Sequence, residues 1–313
     1  MNLFISGSLA YDRIMNFEGR FSDHILPEKI HVLNVCFNVS GLSEKLGGTA
    51  GNIAYGLAQL DESPIILGCL GRDGRRYLEW LERQNIVSDH VAVVEDEYTA
   101  GAFITTDKAD NQITGFNPGA MNYSCPFDLT QADPAQGILI VAPGNLQDMT
   151  KYPQQARGTG MPFIFDPGQS LNIWEGPALA EAMQGAQVLI SNDYELEMIM
   201  RMTGMDLDRI LARVQAVITT KGDKGSLLRQ NGREMEIPAV PATEVKDPTG
   251  AGDAYRSGLL KGLCQGRDLA EAAVMGATLA SFAVACYGTQ EYSVTTGEFE
   301  ARLQGARRQM GWD

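Results

Sequence analysis

The chain has 313 residues, of which 44% are hydrophobic and 20% are charged, and this composition is typical of a folded globular protein. Its formal net charge of −14 argues against proteins that bind nucleic acids or anionic membranes, because both partners require a basic surface. The five cysteines are widely spaced and form no Cys-x-x-Cys pair, so we expect neither a disulfide framework nor a zinc site. The sequence shows no export signal and no long apolar run, and a cytoplasmic location is therefore expected.

Strand-like and helix-like segments alternate along most of the chain, beginning with a short apolar strand at residues 3–6. This order is the one that a doubly wound sheet requires. We therefore predict one α/β domain over residues 1–313, with a mostly parallel central sheet flanked by helices. The later predicted strands are residues 65–70, 91–94, 138–142, 163–165, 188–190 and 216–219, and the predicted helices are residues 74–84, 146–155, 177–183, 192–202, 250–264, 270–286 and 298–308.

Polar residues follow the first strand, at a position where binding sites collect in open α/β sheets. The sequence places Ser8 and Asp12 at the carboxyl end of this strand, and Asp12 is either a hydrogen-bond acceptor for a polar substrate or a solvated turn residue. Glycines then open a helix at residues 47–52. There, Gly48 and Asn52 either approach a ligand hydroxyl closely or serve only helix capping and close packing.

Two segments interrupt the alternation, at about residues 14–46 and 97–119. The first contains a β-branched run at residues 31–39, which predicts a strand with no helical partner on either side. Together the two segments predict a small β-sheet that forms a lid over the strand ends.

The second of these segments has the pattern of a hairpin. Two short β-type runs, residues 102–107 and 111–116, are joined by a polar turn. Phe103 and Phe116 are expected to form the core of the lid in preference to the apolar wall of a ligand pocket.

Polar groups also follow strands in the middle of the chain. Gln169 comes shortly after the strand at residues 163–165, whereas Asn192 and Glu195 follow the strand at residues 188–190 and fall on one helix face. Glu195 either completes a helix-capping arrangement, which this fragment alone favours, or orders water around Mg²⁺ while Asn192 meets phosphate. A single carboxylate is enough for the second role, because Mg²⁺ commonly keeps several of its waters.

A glycine-punctuated turn with two lysines, residues 219–225, follows the strand at residues 216–219. Thr220, Gly222 and Gly225 belong to this turn. The turn either holds the phosphates of a nucleotide or is an ordinary hairpin. The Gly-x-x-x-x-Gly-Lys-[Ser/Thr] nucleotide loop is absent from the sequence.

The stretch Asp247-Pro-Thr-Gly-Ala-Gly-Asp253 precedes a long helical pattern. Residues 250–252 have almost no side chains, so several unpaired backbone N–H groups should converge there and bind an anion. Asp253 places a carboxylate beside that anion site, as expected of a general base for an attacking hydroxyl. The alternative is that Thr249 caps a helix and the glycines only ease a tight turn.

The ordered set of these motifs resembles the ribokinase superfamily, of the phosphofructokinase-B type, over the full chain. The stretch that ends at Asp253 matches the superfamily signature Asp-[Thr/Pro]-x-Gly-Ala-Gly-Asp. Within the superfamily, the chain is similar to the bacterial adenosine and nucleoside kinases rather than to the sugar kinases. The segments that carry this likeness are Gly7-Ser-Leu-Ala-Tyr-Asp12, Phe17-Glu-Gly-Arg-Phe21, Gly47-Gly-Thr-Ala-Gly-Asn52, Asn111-Gln-Ile-Thr-Gly-Phe-Asn-Pro-Gly-Ala-Met121 and Gly288-Thr-Gln-Glu291.

The resemblance implies a ribokinase-like fold and transfer of the γ-phosphoryl group of ATP to the 5′-hydroxyl of a purine ribonucleoside, with Mg²⁺ as cofactor and adenosine as the first substrate expected. It also implies roles for individual residues. Asp253 would be the base, with Gly250, Ala251 and Gly252 as the N–H cradle; Ser8, Asp12, Gly48, Asn52, Phe116 and Gln169 would bind the nucleoside; Asn192, Thr220, Gly222 and Gly225 would line the ATP site; and Glu195 would act on Mg²⁺ through water.

Two departures from the family pattern leave the purine open. Ser170 follows Gln169 where some adenosine kinases have a second glutamine, and Ala102 stands where some relatives carry an aromatic lid residue. A pocket that accepts inosine or guanosine fits the sequence about as well as one specific for adenosine. The alternatives are a sugar kinase of the ribokinase type and, from another class, a nucleoside-binding protein without activity. Lid strands pair between subunits in many relatives, so a homodimer through the lid is also expected.

Overall fold

A computed structural model describes residues 1–32 and 34–312 of the chain. It contains a large sheet with helices on both faces and a smaller sheet. The strands, in chain order, are β1 (Asn2–Ser6), β2 (Ala10–Phe17), β3 (Val39–Gly47), β4 (Ile65–Gly71), β5 (Val91–Val94), β6 (Ala100–Thr106), β7 (Gln112–Asn117), β8 (Gly137–Val141), β9 (Phe163–Phe165), β10 (Val188–Asn192), β11 (Ala216–Thr220), β12 (Ser226–Gln230) and β13 (Arg233–Ile237). The helices are α1 (Thr49–Ala58), α2 (Arg75–Arg83), α3 (Leu146–Thr159), α4 (Gly176–Met183), α5 (Asp193–Thr203), α6 (Leu207–Leu211), α7 (Ala251–Cys264), α8 (Leu269–Ala283) and α9 (Thr296–Gln309).

The large sheet has the strand order β13-β12-β11-β10-β9-β8-β1-β4-β5 within the described residues. All neighbouring pairs from β5 to β11 are parallel, and β12 and β13 extend the sheet as antiparallel strands. β8 reads Gly-Ile-Leu-Ile-Val and is buried throughout, as expected for a parallel strand covered on both faces. The structure thus confirms the predicted α/β architecture.

Helices cover both faces of the large sheet and enclose two hydrophobic clusters. Neighbouring residues of β1 point to opposite faces, so Ile5 joins one cluster with Ile53 of α1, while Phe4 joins the other with Tyr152 of α3. The long helices α7 and α8 pack on the same face as α1. Because the parallel strands end at a common rim, the loops after β1, β9, β10 and β11 meet at that rim.

The smaller sheet is the predicted lid. Its strand order is β3-β2-β6-β7, with a parallel pair in the middle and an antiparallel pair on each side. The lid begins earlier than the sequence indicates, because the chain leaves the large sheet directly after Ser6 and Leu9 is buried at the turn. Asp12 therefore lies on lid strand β2, opposite Lys45 and Ala102, and its predicted placement at the carboxyl end of the first strand is wrong.

The strand predicted at residues 31–39 is also wrong. Pro27–Val32 form 3₁₀ turns interrupted by a kink at Lys29, residues 34–38 are irregular, and a strand begins only at Val39; Leu33 lies outside the described residues. Of this run, Phe37 belongs to a local aromatic cluster, whereas Val32 and Val39 are exposed. The ring of Phe37 packs 4.8 Å from Phe17 and 5.1 Å from Phe21, measured between ring centroids.

The predicted hairpin at residues 102–107 and 111–116 is confirmed by the pairing of β6 with β7. The expectation that Phe103 and Phe116 form the lid core is wrong, since their exposed fractions are 43% and 54%. Both belong to a sheet of a single layer, and β7 is an edge strand that is exposed along its whole length. The guanidinium of Arg13 lies over the Phe103 ring, 5.2 Å from its centroid.

Among the described residues, no helix combines the length and the apolar character needed to cross a bilayer.

We propose that two copies of the chain associate through the lid. The exposed edge strand β7 carries Ile113 and Phe116, which are 45% and 54% exposed, and an apolar edge of this kind favours pairing with another strand. Sedimentation velocity is expected to show a dimer that the Ile113→Lys variant converts to monomer, because a lysine on an edge strand opposes pairing.

The matched control is Met235→Lys, which places the same charge on β13, the edge strand of the large sheet, at a residue that is 42% exposed. This variant should remain dimeric. A wild-type monomer, or a dimer that only Met235→Lys dissociates, would show that the lid is not the interface.

Candidate active site

Two helices begin at glycines close to the rim of the large sheet. α1 follows Gly48 and α7 follows Gly250, and both glycines have positive φ angles, 88° and 78°. A Cβ atom on Gly48 would lie 2.5 Å from the Ser8 carbonyl oxygen, and one on Gly250 would lie 2.8 Å from Thr289 Cγ2. Both helix starts therefore require glycine.

The start of α7 presents backbone N–H groups without partners. Ala251 donates weakly to the Pro248 carbonyl oxygen at 3.2 Å, whereas the N–H groups of Gly250, Gly252 and Asp253 have no hydrogen-bond partner within the described residues. The positive end of the helix dipole lies at the same place. The geometry can bind an anion, mainly through Gly250 and Gly252.

The turn before α7 is held by a carboxylate. Asp247 accepts hydrogen bonds from the backbone N–H groups of Thr249 at 2.9 Å and Gly288 at 3.1 Å. The N-cap residue is Gly250, with no capping side chain, so the alternative in which Thr249 caps the helix is wrong. Asp247 therefore ties the turn before α7 to Thr249 in the turn itself and to Gly288 in a distant loop.

Asp253 lies in the first turn of α7 as a half-buried carboxylate. Burial raises its pKa to about 6, against the opposing effects of a hydrogen bond from Asn52 and the positive charge of Arg256. The Asn52 Nδ2–H donates to Asp253 Oδ2 at 2.8 Å. A carboxylate with this pKa is ionised at neutral pH and can accept a proton.

Asn52 is itself held by a buried polar network. Its Oδ1 accepts from Gln290 Nε2 at 3.0 Å, and the same Gln290 nitrogen lies 2.9 Å from Tyr77 Oη. Gln290 Oε1 in turn accepts from Trp80 Nε1 at 3.0 Å. Asn52 and Gln290 are buried, so the amide predicted to hold a ligand hydroxyl spends most of its hydrogen-bonding capacity on protein groups.

A buried ion pair lies beside Asp253. Arg256, one turn further along α7, donates to the two carboxylate oxygens of Asp166 at 2.5 and 3.0 Å, and a further N–H donates to the Gly252 carbonyl oxygen at 3.0 Å. Asp166 holds the pKa of Arg256 above its usual range. This bidentate pair ties α7 to the end of β9 and keeps a positive charge close to Asp253.

Ser8 caps α1 rather than standing free. Its Oγ accepts from the Thr49 N–H at 3.0 Å and lies 3.3 Å from Thr49 Oγ1, while the Ser8 N–H donates to the Pro143 carbonyl oxygen at 3.0 Å. The glycine-rich start of α1 is thus capped, as one of the two alternatives predicts, and the capping side chain is that of Ser8.

The remaining predicted nucleoside residues are spread over the lid and the sheet rim. Asp12 accepts no hydrogen bond within the described residues, and burial raises the pKa of its carboxyl. Ala102 lies between Asp12 and Phe116 in the register of the lid, so these three residues share one face of it. Gln169 is exposed in a short 3₁₀ helix (Gly168–Ile173) and likewise makes no hydrogen bond among the described residues.

Asn192 and Glu195 form the capping box that the sequence favours. Asn192 Oδ1 accepts from the Glu195 N–H at 2.7 Å, and Glu195 Oε2 accepts from the Asn192 N–H at 2.8 Å. Burial raises the pKa of Glu195. Its Oε1 has no hydrogen-bond partner within the described residues, and no cluster of three or more His, Cys, Asp or Glu side chains in that part of the chain is placed to hold a metal ion.

The glycine-punctuated turn at residues 219–225 joins β11 to the antiparallel strand β12, as the hairpin alternative predicts. Gly222 and Gly225 have positive φ angles, and a Cβ atom on Gly225 would lie 2.1 Å from the Ile237 carbonyl oxygen. Thr220 ends β11 beside β10 and donates from Oγ1 to the Ser191 carbonyl oxygen at 3.4 Å. The turn thus lies next to the Asn192 capping box, at the same rim.

A family model for pfkB family carbohydrate kinases matches residues 14–296. The chain belongs to this family. The solved structure of a Burkholderia thailandensis nucleoside kinase in complex with inosine is 40% identical, with a TM-score of 0.85 and 97% of each chain covered. The same enzyme in complex with ADP-inosine is 41% identical, with a TM-score of 0.83 and coverage of 97% of this chain and 95% of that one. A nucleoside kinase of Methanocaldococcus jannaschii is 33% identical over 303 residues, 96% of each chain.

Membership of the pfkB family confirms the predicted superfamily and the ribokinase-like fold. Sequence reasoning missed the groups that support this residue, namely Gln290, Trp80, Arg256 and Asp166. Two of them carried a signal: Gln290 lies in a segment already matched to nucleoside kinases, and Arg256 is a charged residue inside an otherwise buried part of α7.

Phosphoryl transfer by this pfkB family member is expected to depend on the ionised form of Asp253. We predict that kcat rises with pH through about pH 6 and levels off above it, because the pKa of the folded carboxyl is about 6 and only the ionised form accepts a proton. The measurement is a pH–rate profile at saturating substrates.

The control is Asp253→Asn, which keeps the shape of the side chain but accepts no proton. Its kcat should fall roughly 10²- to 10⁴-fold. Phosphate groups titrate near pH 6, so any pH dependence that remains in this variant belongs to the substrate. Turnover of the variant comparable to that of the wild type would remove Asp253 from the mechanism.

Proposed function

We propose that the chain is a nucleoside kinase that transfers the γ-phosphoryl group of ATP to the 5′-hydroxyl of a purine ribonucleoside, adenosine or inosine. The observation that carries the proposal is the Asp253 carboxylate, ionised at neutral pH, beside the unpaired N–H groups of Gly250 and Gly252. The two relatives named nucleoside kinases support the class of acceptor, and the inosine complex of one of them supports a purine.

In the proposed reaction, Asp253 accepts the proton of the 5′-hydroxyl while the 5′-oxygen of the nucleoside attacks the γ-phosphorus. A bond forms between these two atoms, and the bond from the γ-phosphorus to the bridging oxygen breaks, so ADP leaves with that electron pair. The N–H groups of Gly250 and Gly252 stabilise the charge on the phosphoryl group during transfer, with Ala251 between them. The Arg256–Asp166 pair holds the turn of α7 in place.

The nucleoside is proposed to lie between the lid and α1. Asp12 has both carboxylate oxygens free of protein donors and suits the ribose hydroxyls, and Asn52 keeps one Nδ2 hydrogen for the same purpose. Gly48 allows a close approach at the start of α1. Ser8, Phe116 and Gln169 are proposed to contact the purine ring of the nucleoside.

ATP is proposed to bind along the rim formed by β10, β11 and α7, with Asn192, Thr220, Gly222 and Gly225 beside it. The ADP complex of the Burkholderia thailandensis enzyme supports ATP as the donor. Glu195 fits the predicted contact with Mg²⁺ through water, because its Oε1 lacks a protein partner and Mg²⁺ retains several waters. When bound, Mg²⁺ neutralises charge on the phosphates. The use of ATP and the five free cysteines favour a cytoplasmic location.

A substrate panel tests the proposal. Purified protein with ATP and Mg²⁺ is given adenosine, inosine, guanosine or ribose, and the phosphorylated product (nucleoside monophosphate or ribose phosphate) is measured by chromatography with the site of phosphorylation assigned by NMR. We expect a purine nucleoside to exceed ribose in kcat/KM by about 10²-fold or more, because a pocket built around the base leaves polar groups unpaired with a free sugar.

The matched control is 5′-deoxyadenosine, which lacks only the hydroxyl proposed to react. It should bind as a competitive inhibitor and give no product. A preference for ribose would make the chain a sugar kinase. Tight nucleoside binding without turnover by any acceptor would make it a binding protein.

The lid is expected to become more protected when nucleoside binds. Within one subunit, β7 is exposed along its whole length and pairs only with β6 among the described strands, so a bound nucleoside would add contacts on the lid face that carries Phe116. Hydrogen exchange across residues 102–116 should slow when adenosine or inosine is saturating. Unchanged exchange there, with binding shown independently, would contradict a lid that closes on the nucleoside.

A further inference from the structure

The hydrogen bonds that reach Asp253 from α1 form a directed chain that begins at an indole. Trp80 Nε1 is a donor only, so the Gln290 amide must present Oε1 to it and point Nε2 the other way. Gln290 Nε2 then donates to Asn52 Oδ1, which leaves the Asn52 Nδ2 to donate to Asp253. The side-chain amides of Gln290 and Asn52 could each adopt two orientations, and the Trp80 indole, which can only donate, fixes both.

The surroundings of Gln290 support the same orientation. Tyr77 Oη donates to the Gly47 carbonyl oxygen at 2.7 Å, which leaves its lone pairs to accept from Gln290 Nε2. Gly51 makes room for this contact, because a Cβ atom there would lie 1.8 Å from Tyr77 Oη and 2.9 Å from Gln290 Nε2. Gln290 is 3% exposed, so solvent cannot replace these partners. An amide that turned over would bring donor against donor at Trp80 and leave buried groups unpaired.

We infer that Gln290 is a positioning residue for the reaction, which sets the Asn52 amide so that a hydrogen-bond donor, and not an acceptor, faces the Asp253 carboxylate. The inference rests on the proposed role of Asp253 as base. A donor stabilises the ionised carboxylate and directs its other oxygen to the acceptor hydroxyl, whereas a carbonyl oxygen in the same place would favour the protonated acid. Gln290 touches neither the substrate nor the reacting atoms and acts through Asn52.

Other groups also face Asp253 and have to be held constant in a test. Arg256 on the same helix and Asp166 after β9 act on its charge, and Tyr77 on α2 and Tyr292 before α9 lie within electrostatic reach. Replacing Gln290 with an uncharged residue of similar length leaves all of these groups in place, and only Tyr77 loses a hydrogen bond. Gln290→Met therefore removes the directed hydrogen bonds without adding a charge.

The experiment measures the titration of the Asp253 carboxyl directly, by carbon-13 NMR of the full-length protein, with Asp253→Asn for assignment. In Gln290→Met we expect the titration midpoint to rise by about one pH unit, the size expected for loss of one hydrogen bond to a charged group. The acidic limb of the pH–rate profile should move with it. At pH 6 this predicts a fall in kcat of about fivefold that shrinks as the pH rises, with the nucleoside KM little changed.

A second variant tests the orientation of the Gln290 amide while keeping the Gln290 side chain. Trp80→Phe keeps the ring that stacks on Tyr55 but removes the donor, so the Gln290 amide is free to turn over, and a smaller shift in the same direction is expected. The matched control is Trp174→Phe, since the Trp174 indole nitrogen is buried without a hydrogen-bond partner among the described residues. It should leave the midpoint unchanged.

An Asn52→Ala background separates action through Asn52 from general loosening of the site. There, Gln290→Met should add no further shift, and this result supports the inference. An unchanged midpoint in Gln290→Met, or the same shift with and without Asn52, would overturn it. If Gln290→Met does not fold, the presence or absence of the shift in Trp80→Phe decides in the same way. The NMR titration does not require turnover, so it distinguishes failure of this inference from failure of the proposed kinase activity.

Discussion

A carboxylate that serves as a base must stay charged in a place where burial favours its neutral form. At Asp253 burial is the larger effect and raises the pKa to about 6, while the Asn52 hydrogen bond and the charge of Arg256 hold it there. Arg256 makes two hydrogen bonds to Asp166 and none to Asp253. Its positive charge therefore lowers the pKa of Asp253 from nearby, without a direct ion pair. The balance leaves a group that is ionised near neutral pH yet close enough to that range to exchange a proton.

This balance depends on the whole fold, because its members are far apart in the chain. Asn52 and Asp253 are separated by 201 positions, and Gln290 lies 238 positions from Asn52. They meet because α1 and α7 pack side by side on one face of the sheet, with Ser257 of α7 donating to the Ile53 carbonyl oxygen at 2.8 Å. Helix packing in the core therefore sets the distance between Asn52 and Asp253.

The sequence predicted the seven parallel strands of the large sheet, because each is a short apolar run. It did not predict the antiparallel strands β12 and β13, which carry charged and polar residues, or the short helix α6. It also indicated the start of α7 as an anion site, since adjacent small residues before a helix leave N–H groups unpaired. It failed where the outcome depends on distant partners. The β-branched run at residues 31–39 was interpreted as a strand, but Phe37 packs in a local aromatic cluster, and Phe103 lacks the second layer that would bury it. Asn52 was predicted to approach a ligand hydroxyl. Its hydrogen bonds with Gln290 and Asp253 depend on the tertiary structure, so the sequence did not indicate them.

The lid and helix α1 follow one another directly in the chain. Lid strand β3 ends at Gly47, and α1 begins directly after Gly48. A Cβ atom on Gly47 would lie 2.6 Å from Asp12 Oδ2, and one on Gly48 would collide with the Ser8 carbonyl oxygen. A side chain at Gly47 or Gly48 would therefore disturb Asp12 on the lid and the start of α1 together. Ala102 and Phe116 are paired across β6 and β7 on the lid face that carries Asp12, so a substitution there changes this face and leaves the start of α1 untouched.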